Sequence, residues 1–316
     1  MGAGIACLND YTVRQAARGL AAYLTETPGK KTCAIGYDCR RNSRRYAEIC
    51  AAALAEAGVH VYVYDRLCPT PMLSFAVRYL HCDAGIVISA SHNTKEYNGL
   101  KCYGADGGQM TEIPAGKVSA AIETIDLFQP VALTFEQALA QGTVEFIAES
   151  VWQAYYDRIY QEAVAPQRVR EAGLRVVYSP LCGAGGEPVA HMLERLGAEY
   201  HIPQSQKTPS GEFATCPSPN PENDASFAEC YKLADEVKPD LIMATDPDSD
   251  RIAVAIPAAG GYRKFSGNEM GCLLLQYILR AMKDAGKLPH DPVAVKSVVS
   301  TPLADRVAAA YGCKMR

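Results

Sequence analysis

Apolar runs in the chain alternate with stretches whose apolar residues recur three and four positions apart, so strands and helices are expected to take turns. Thr32–Tyr37 (TCAIGY) reads as a buried strand; Ser43 then caps a helix through Ala57, Gly58 stops it, and Val59–Tyr64 (VHVYVY) is the next strand. The order returns at Leu174–Tyr178 (LRVVY), followed by Gly183–Gly186, a helix to Leu196, Gly197, and a strand over Ala198–Ile202. It begins a third time at Pro292–Val299, where Thr301-Pro302 opens a helix that closes at Gly312. Each copy is a strand–helix–strand unit with a start signal and a terminal glycine, which predicts layered α/β domains.

Boundaries are expected near 147–152 and 258–266, giving units at 1–148, 149–262 and 263–316. Residues 203–224 hold five prolines and form a long loop, a length usually reserved for functional or flexible segments. The third copy stops at Lys314-Met315-Arg316, where its second strand should begin. Ending there would leave a sheet edge unpaired, so the chain is expected to be truncated at its C-terminus.

Composition narrows the class. Of the 316 residues, 48% are apolar and 21% charged, as in soluble globular proteins, and no apolar run approaches the roughly 20 residues of a membrane helix. Arg14 and Arg18 interrupt the first apolar stretch, which excludes a signal-peptide core, so the cytoplasm is the expected compartment. A net charge of −4 gives no support to nucleic-acid or anionic-membrane binding; an anionic substrate would need a local basic cluster. The twelve cysteines include no C-x-x-C pair and are expected as reduced core thiols.

Two segments carry the candidate chemistry. Leu241–Ile256 (LIMATDPDSDRIAVAI) sets Asp246, Asp248 and Asp250 at alternate positions between two apolar strands. Three carboxylates so close repel one another unless a cation sits among them, and hard oxygen ligands suit Mg²⁺ or a similar ion. A solvated acidic turn is the alternative. An EF-hand is excluded, because Arg251 and Pro257 occupy the positions that need Gly and Glu. A haloacid-dehalogenase-like phosphatase with Asp246 as nucleophile is disfavoured by Asp250 in the fifth place of its motif but stays open.

The second segment, Gly85–Met110, runs from a strand into Ser89-Ala-Ser91-His92-Asn93 and on to Lys101. Alone, Ser91 is a capped turn as readily as a nucleophile. Together with the aspartates the reading changes, because phosphoryl transfer needs an oxygen nucleophile, a divalent cation and positioned positive charge. Ser91, the aspartate triplet, Lys101 and Arg251 would supply them. The run Arg40-Arg41-Asn42-Ser43-Arg44-Arg45 lies at a helix start, where the macrodipole disfavours cations, and Arg40 is the first choice for facing an anion.

At these residues the chain resembles the α-D-phosphohexomutases, the family of phosphoglucomutase and phosphomannomutase. Their active-serine motif T-A-S-H-N-P and following Y-N-G-x-K are similar to Ser89–Thr94 and Tyr97–Lys101; their metal loop D-P-D-x-D-R is matched fully by Asp246–Arg251. Pro217–Glu222 (PSPNPE) and Gly183–Gly186 resemble the family's second domain. The Tyr11–Arg14 opening resembles its phosphoglucomutase-like branch, with phosphopentomutase relatives.

The resemblance implies repeated three-layer α/β/α domains: domain I with the active serine at 1–148, domain II with the metal loop at 149–262, and a partial domain III at 263–316, the fourth being absent. It implies a phosphosugar mutase moving a phosphoryl group between the 1- and 6-positions of a hexose phosphate, with glucose the first choice and mannose or pentose phosphate the alternatives. A phosphoserine at Ser91 and a hexose 1,6-bisphosphate, acting as activator and intermediate, would carry the group. Mg²⁺ would be held by Ser91, Asp246, Asp248 and Asp250. His92 and Lys101 would do acid–base work, and Arg251, Asp250 and Arg40 would contact the substrate. The departures are Ser89 for Thr, Thr94 for Pro, and the absence of an Arg-Gly segment at the N-terminus, of the sugar-selecting loop and of the distal phosphate-binding loop. They imply truncation at both ends and a chain that does not complete the cycle well alone. A metal-dependent phosphatase and a non-catalytic truncated paralogue remain the rival readings.

Overall fold

The computed structural model describes residues 1–26, 28–29 and 31–316. Its first unit comprises β1 (Gly2–Ala3), α1 (Asp10–Thr25), β2 (Lys31–Tyr37), α2 (Ser43–Glu56), β3 (Val59–Val63), α3 (Thr70–Tyr79), β4 (Ala84–Ile88), β5 (Tyr97–Asn98), β6 (Leu100–Gly104), α4 (Glu112–Thr124), α5 (Phe135–Ala140) and β7 (Val144–Phe146). Five strands form one sheet in the order β6-β4-β2-β3-β7, with β6 antiparallel to β4 and the other pairs parallel. Both faces are covered, and the period-two alternation of strand side chains divides the core accordingly. Cys33, Ile35, Ile86 and Ile88 pack under α1 and α2, while Ala34 and Val87 pack with Met72, Leu73 and Ala76 of α3 on the opposite face.

The second unit follows with α6 (Glu149–Glu162), α7 (Pro166–Glu171), β8 (Arg175–Ser179), α8 (Gly186–Leu196), β9 (Glu199–His201), α9 (Gln204–Lys207), α10 (Ala228–Val237), β10 (Leu241–Thr245), β11 (Ile252–Ala258) and β12 (Gly261–Lys264). Its sheet runs β12-β11-β10-β8-β9, parallel over β10, β8 and β9 and antiparallel over the hairpin edge. Val177, Ile242 and Ala244 face α10; Val176 and Tyr178 face α8. The three-layer α/β/α organisation is thus present twice.

Local differences from the sequence reading have physical causes. Ser43 is not the cap of α2: Asn42, in left-handed conformation, precedes the helix, and the Ser43 hydroxyl donates to Asp38 Oδ1 at 2.8 Å. Helix α6, placed by sequence at the start of the second unit, lays Val151, Trp152 and Tyr156 into the core of the first, with Trp152 edge-on to Tyr64. The proline-rich loop carries one helical turn, α9, and then crosses to the first unit, where Phe213 lies under the Arg40 guanidinium 5.1 Å away.

The remaining elements are α11 (Gly267–Asp284), β13 (Val293–Ala294), α12 (Leu303–Ala310) and β14 (Lys314–Met315). The strand expected over Pro292–Val299 shrinks to two residues, paired in parallel with Lys314 and Met315. A strand's length depends on its neighbours, and the chain turns away at Ser297–Ser300, leaving Val298 and Val299 exposed. All twelve cysteines are free thiols; nine are buried, Cys39 and Cys102 half-buried and Cys7 exposed. Among the described residues no helix is long and apolar enough to cross a membrane.

Candidate active site

Strand β4 ends at Ile88 and delivers Ser91 to the rim of the first sheet, buried and with φ +52. A left-handed backbone is unfavourable for a residue with a Cβ, and such residues gather at functional sites because the surroundings over-determine them. The edge strand beside it, β6, pairs Lys101 with Val87, so Lys101 extends beside the same loop. From the second unit, β10 ends at Thr245 and β11 resumes at Ile252; the tight turn between them holds the three aspartates, with Ser249 at its apex also left-handed.

The two segments meet. Ser91 Oγ donates to Asp246 Oδ2 at 2.9 Å and lies 3.2 Å from His92 Nδ1. Asp246 Oδ1 accepts the backbone N–H groups of Asp250 and Arg251 at 3.1 and 3.0 Å. Lys101 Nζ sits 3.0 Å from Asp248 Oδ2 and 3.9 Å from Asp250 Oδ2. Arg251 is half-exposed, its Nε 4.0 Å from Asp250 Oδ1.

Burial and mutual repulsion decide the charges. Asp246 is pushed up to about 8, first by burial and then by the neighbouring charges of Asp248 and Asp250. Burial also works against Lys101, but the adjacent Asp248 and Asp250 outweigh it and hold the ammonium charged. His92 is lowered by burial first and by Arg251 second, which keeps its ring neutral near pH 7.

The residues fit a divalent cation. One oxygen from each of Asp246, Asp248 and Asp250 lies within 4.8 Å of the others. Asp248 Oδ1 is closed off from solvent and has no hydrogen-bond partner, a costly arrangement for a carboxylate oxygen that a metal ligand would relieve.

Arg40 is where the sequence expectation changes. Rather than opening toward a substrate anion, it is 3% exposed, and its guanidinium donates to the carbonyls of Ser91 (2.6 Å), Thr94 (2.8 Å) and Tyr97 (2.9 Å), as well as Asn93. Its Nε lies 3.2 Å from the buried Asp38 carboxylate. The serine loop turns its carbonyls inward, and Arg40 is the cation that satisfies them. The other arginines of the run pair at the surface: Arg41 with Glu212, Arg44 with Glu48 and Arg45 with Asp10.

Three further contributors had no role assigned from sequence. Thr70, opening α3, donates its hydroxyl to Asp248 Oδ2 at 3.0 Å and its N–H to the Asp248 carbonyl at 2.8 Å. Gly183 lets the backbone press on the aspartate turn, since a Cβ there would fall 2.4 Å from Pro247 Cα, and Ala184 N–H bonds the Pro247 carbonyl at 2.8 Å. Asn98 ties the loop to α2 through the Arg41 carbonyl at 3.0 Å and Ser43 Oγ at 2.9 Å. Of the three, Gly183 and Asn98 stood in quoted motifs, and Thr70 carried no signal.

Known proteins share these segments. The family models for phosphoglucomutase/phosphomannomutase α/β/α domains I and II match residues 2–129 and 153–260. A phosphoglucomutase of Staphylococcus epidermidis is 35% identical over 314 residues, covering 97% of this chain and 55% of that protein. The chain therefore spans about half the length of the curated relatives it matches. Among solved structures, a Thermus thermophilus protein superposes with a TM-score of 0.80 at 23% identity, covering 99% of this chain and 66% of that one. A phosphoglucomutase/phosphomannomutase family protein of Burkholderia thailandensis gives 0.77 at 18%, covering 99% and 63%. With both domain models matched in order, the chain belongs to the phosphoglucomutase/phosphomannomutase family.

Proposed function

We propose that this chain forms the phosphoserine centre of a phosphosugar mutase that moves a phosphoryl group between the 1- and 6-positions of a hexose phosphate. The observation that carries it is the 2.9 Å contact between Ser91 Oγ and Asp246 within the aspartate cluster. Glucose phosphate is the proposed substrate, supported by phosphoglucomutases among the relatives; hexose 1,6-bisphosphate is the intermediate and phosphoryl donor. A small phosphosugar substrate fits a cytoplasmic enzyme.

Asp246, Asp248 and Asp250 would hold Mg²⁺, together with an oxygen of phosphorylated Ser91. When bound, the ion offsets charge on the transferring phosphoryl group. The rest falls to side chains. As Ser91 Oγ forms its bond to phosphorus, the bond from phosphorus to the sugar oxygen breaks; the serine proton passes to a base such as His92 Nδ1, 3.2 Å away, and the departing sugar oxygen takes up a proton from Lys101. In the reverse direction the sugar hydroxyl attacks, Ser91 Oγ leaves, and the hydroxyl proton needs a base. Neutral His92 is suited to receive a proton, and charged Lys101 to supply one or to stabilise the sugar oxygen. Arg251, half-exposed at the rim beside Asp250, is placed to meet a phosphate.

An Asp246-centred phosphatase is less well supported. Both oxygens of Asp246 are engaged, one by two backbone N–H groups and the other by Ser91. The test is intact-protein and peptide mass spectrometry after incubation with glucose 1,6-bisphosphate and Mg²⁺. One phosphate on Ser91, absent from Ser91→Ala, is expected; no phosphate at Ser91, or equal incorporation in the variant, would overturn the proposal. Mannose and pentose bisphosphates in parallel rank the sugars.

A further inference from the structure

We infer that Asp38 and Ser89 are positioning residues that fix the nucleophile through its backbone, an inference that rests on Ser91 being the phosphoryl acceptor. Ser91 N–H donates to Ser89 Oγ at 2.8 Å, and the Ser89 hydroxyl donates in turn to Asp38 Oδ2 at 2.7 Å. A hydroxyl has one proton. With that proton given to the carboxylate, the oxygen lone pairs are what Ser91 N–H meets. Asp38 therefore sets the direction of the Ser89 dipole as well as its place.

The carboxylate is itself over-determined. Asp38 Oδ1 accepts Arg40 N–H at 2.9 Å and Ser43 Oγ at 2.8 Å, and Oδ2 lies 3.2 Å from Arg40 Nε. Asp38 is 1% exposed and Ser89 fully buried. Arg40 also holds the Ser91 carbonyl at 2.6 Å. One buried ion pair at the end of β2 thus grips both polar groups of the Ser91 main chain, the N–H through Ser89 and the C=O directly. That grip accounts for a left-handed serine, a conformation with no intrinsic advantage for this residue. Released, the backbone relaxes and Ser91 Oγ leaves the 2.9 Å contact with Asp246.

Among the described residues, the side-chain hydrogen bonds and ion pairs of Asp38 and Ser89 go to Arg40, Ser43 and Ser91 rather than to the aspartate cluster, so their loss should slow transfer without weakening donor binding. The experiment follows phosphate appearing on Ser91 of the full chain, by quenched mass spectrometry, across glucose 1,6-bisphosphate concentrations with Mg²⁺. Ser89→Ala is expected to lower the rate at saturating donor about 100-fold, the scale of an ångström-sized misplacement, with the half-saturating concentration unchanged. Ser89→Thr, which keeps the hydroxyl, is expected to restore the rate. A Ser89→Ala rate within twofold of the parent overturns the inference, as does a Ser89→Thr protein as slow as Ser89→Ala, or a loss confined to half-saturation. Should Ser89→Ala not fold, Ser89→Cys carries the same expectation, because a thiol fills the volume and accepts hydrogen bonds poorly. A parent chain that takes no phosphate sinks the mutase reading and this inference together; a parent that does, beside an unimpaired Ser89→Ala, sinks this inference alone.

Discussion

Thr70 and Asp248 are 178 residues apart in sequence and doubly hydrogen-bonded in space, hydroxyl to carboxylate and N–H to carbonyl. The pair joins the start of a helix in the first unit to the aspartate turn of the second. A partner that orients a ligating carboxylate is typically worth a factor of 10 or more in metal affinity. Thr70→Val should therefore raise the Mg²⁺ dissociation constant about tenfold, while Thr70→Ser stays close to the parent; calorimetric titration with Mg²⁺ decides.

Arg40 should prove a stability residue. Arg40→Ala strands the buried Asp38 carboxylate and four carbonyls, and removing one partner of a buried ion pair costs about 3–5 kcal/mol. Arg40→Lys should recover little, because an ammonium cannot reproduce the planar fork that spans Ser91, Thr94 and Tyr97. Urea unfolding of both variants gives the answer; near-parental midpoints would contradict the clamp.

How much of this was legible beforehand follows from the range of the interactions. Ser91 and the aspartates were visible because each sits in a dense local pattern, a strand running straight into polar residues. Arg40 was visible as a charge but not as a clamp, since its carbonyl partners lie 51 to 57 residues away. Asp38 and Thr70 look like ordinary polar residues near turns, Ser89 like a mild departure within the serine motif, and their roles exist only once β2, β4 and α3 are assembled. Strand β13 erred the other way: an apolar run read as eight residues pairs over two because it has one short neighbour.

Gly183→Ala is expected to disturb the aspartate turn without touching a ligand. The new Cβ would meet Pro247 Cα at 2.4 Å and the Pro247 carbonyl oxygen at 2.7 Å, so backbone has to move. Overpacking of this kind costs about 1–3 kcal/mol. A lower melting temperature together with weaker Mg²⁺ binding is the expected outcome, and an unchanged Mg²⁺ affinity would show that the turn is held elsewhere.

Metal should stabilise the fold. An ion that binds only the folded chain, at a hundredfold over its dissociation constant, adds about 2.7 kcal/mol to the unfolding free energy. Thermal melts in Mg²⁺ should rise above melts in chelator, and Asp248→Asn should abolish the difference. Equal melts for the parent would count against the cation.

A last prediction concerns pH. Asp157 of α6 pairs with Arg195 of α8 at 2.7 Å, and that hydrogen bond holds its carboxyl below the usual value. A depressed carboxylate contributes stability above its unfolded pKa and loses it as pH falls through the folded one. Acidification from neutral pH to below about 4 should therefore cost the parent slightly more melting temperature than it costs Asp157→Asn.

The separation of Ser91 from Asp246 has a consequence for biosynthesis. Chains grow at about 5–20 residues per second and fold unit by unit, so the serine leaves the ribosome roughly 8–30 s ahead of its aspartate. The first unit, with its own two-sided core, has time to form around Ser91 while no acidic turn yet exists to join it. On the function proposed above, a nascent chain would carry its phosphoryl acceptor disarmed, and transfer would begin only when the second unit docks.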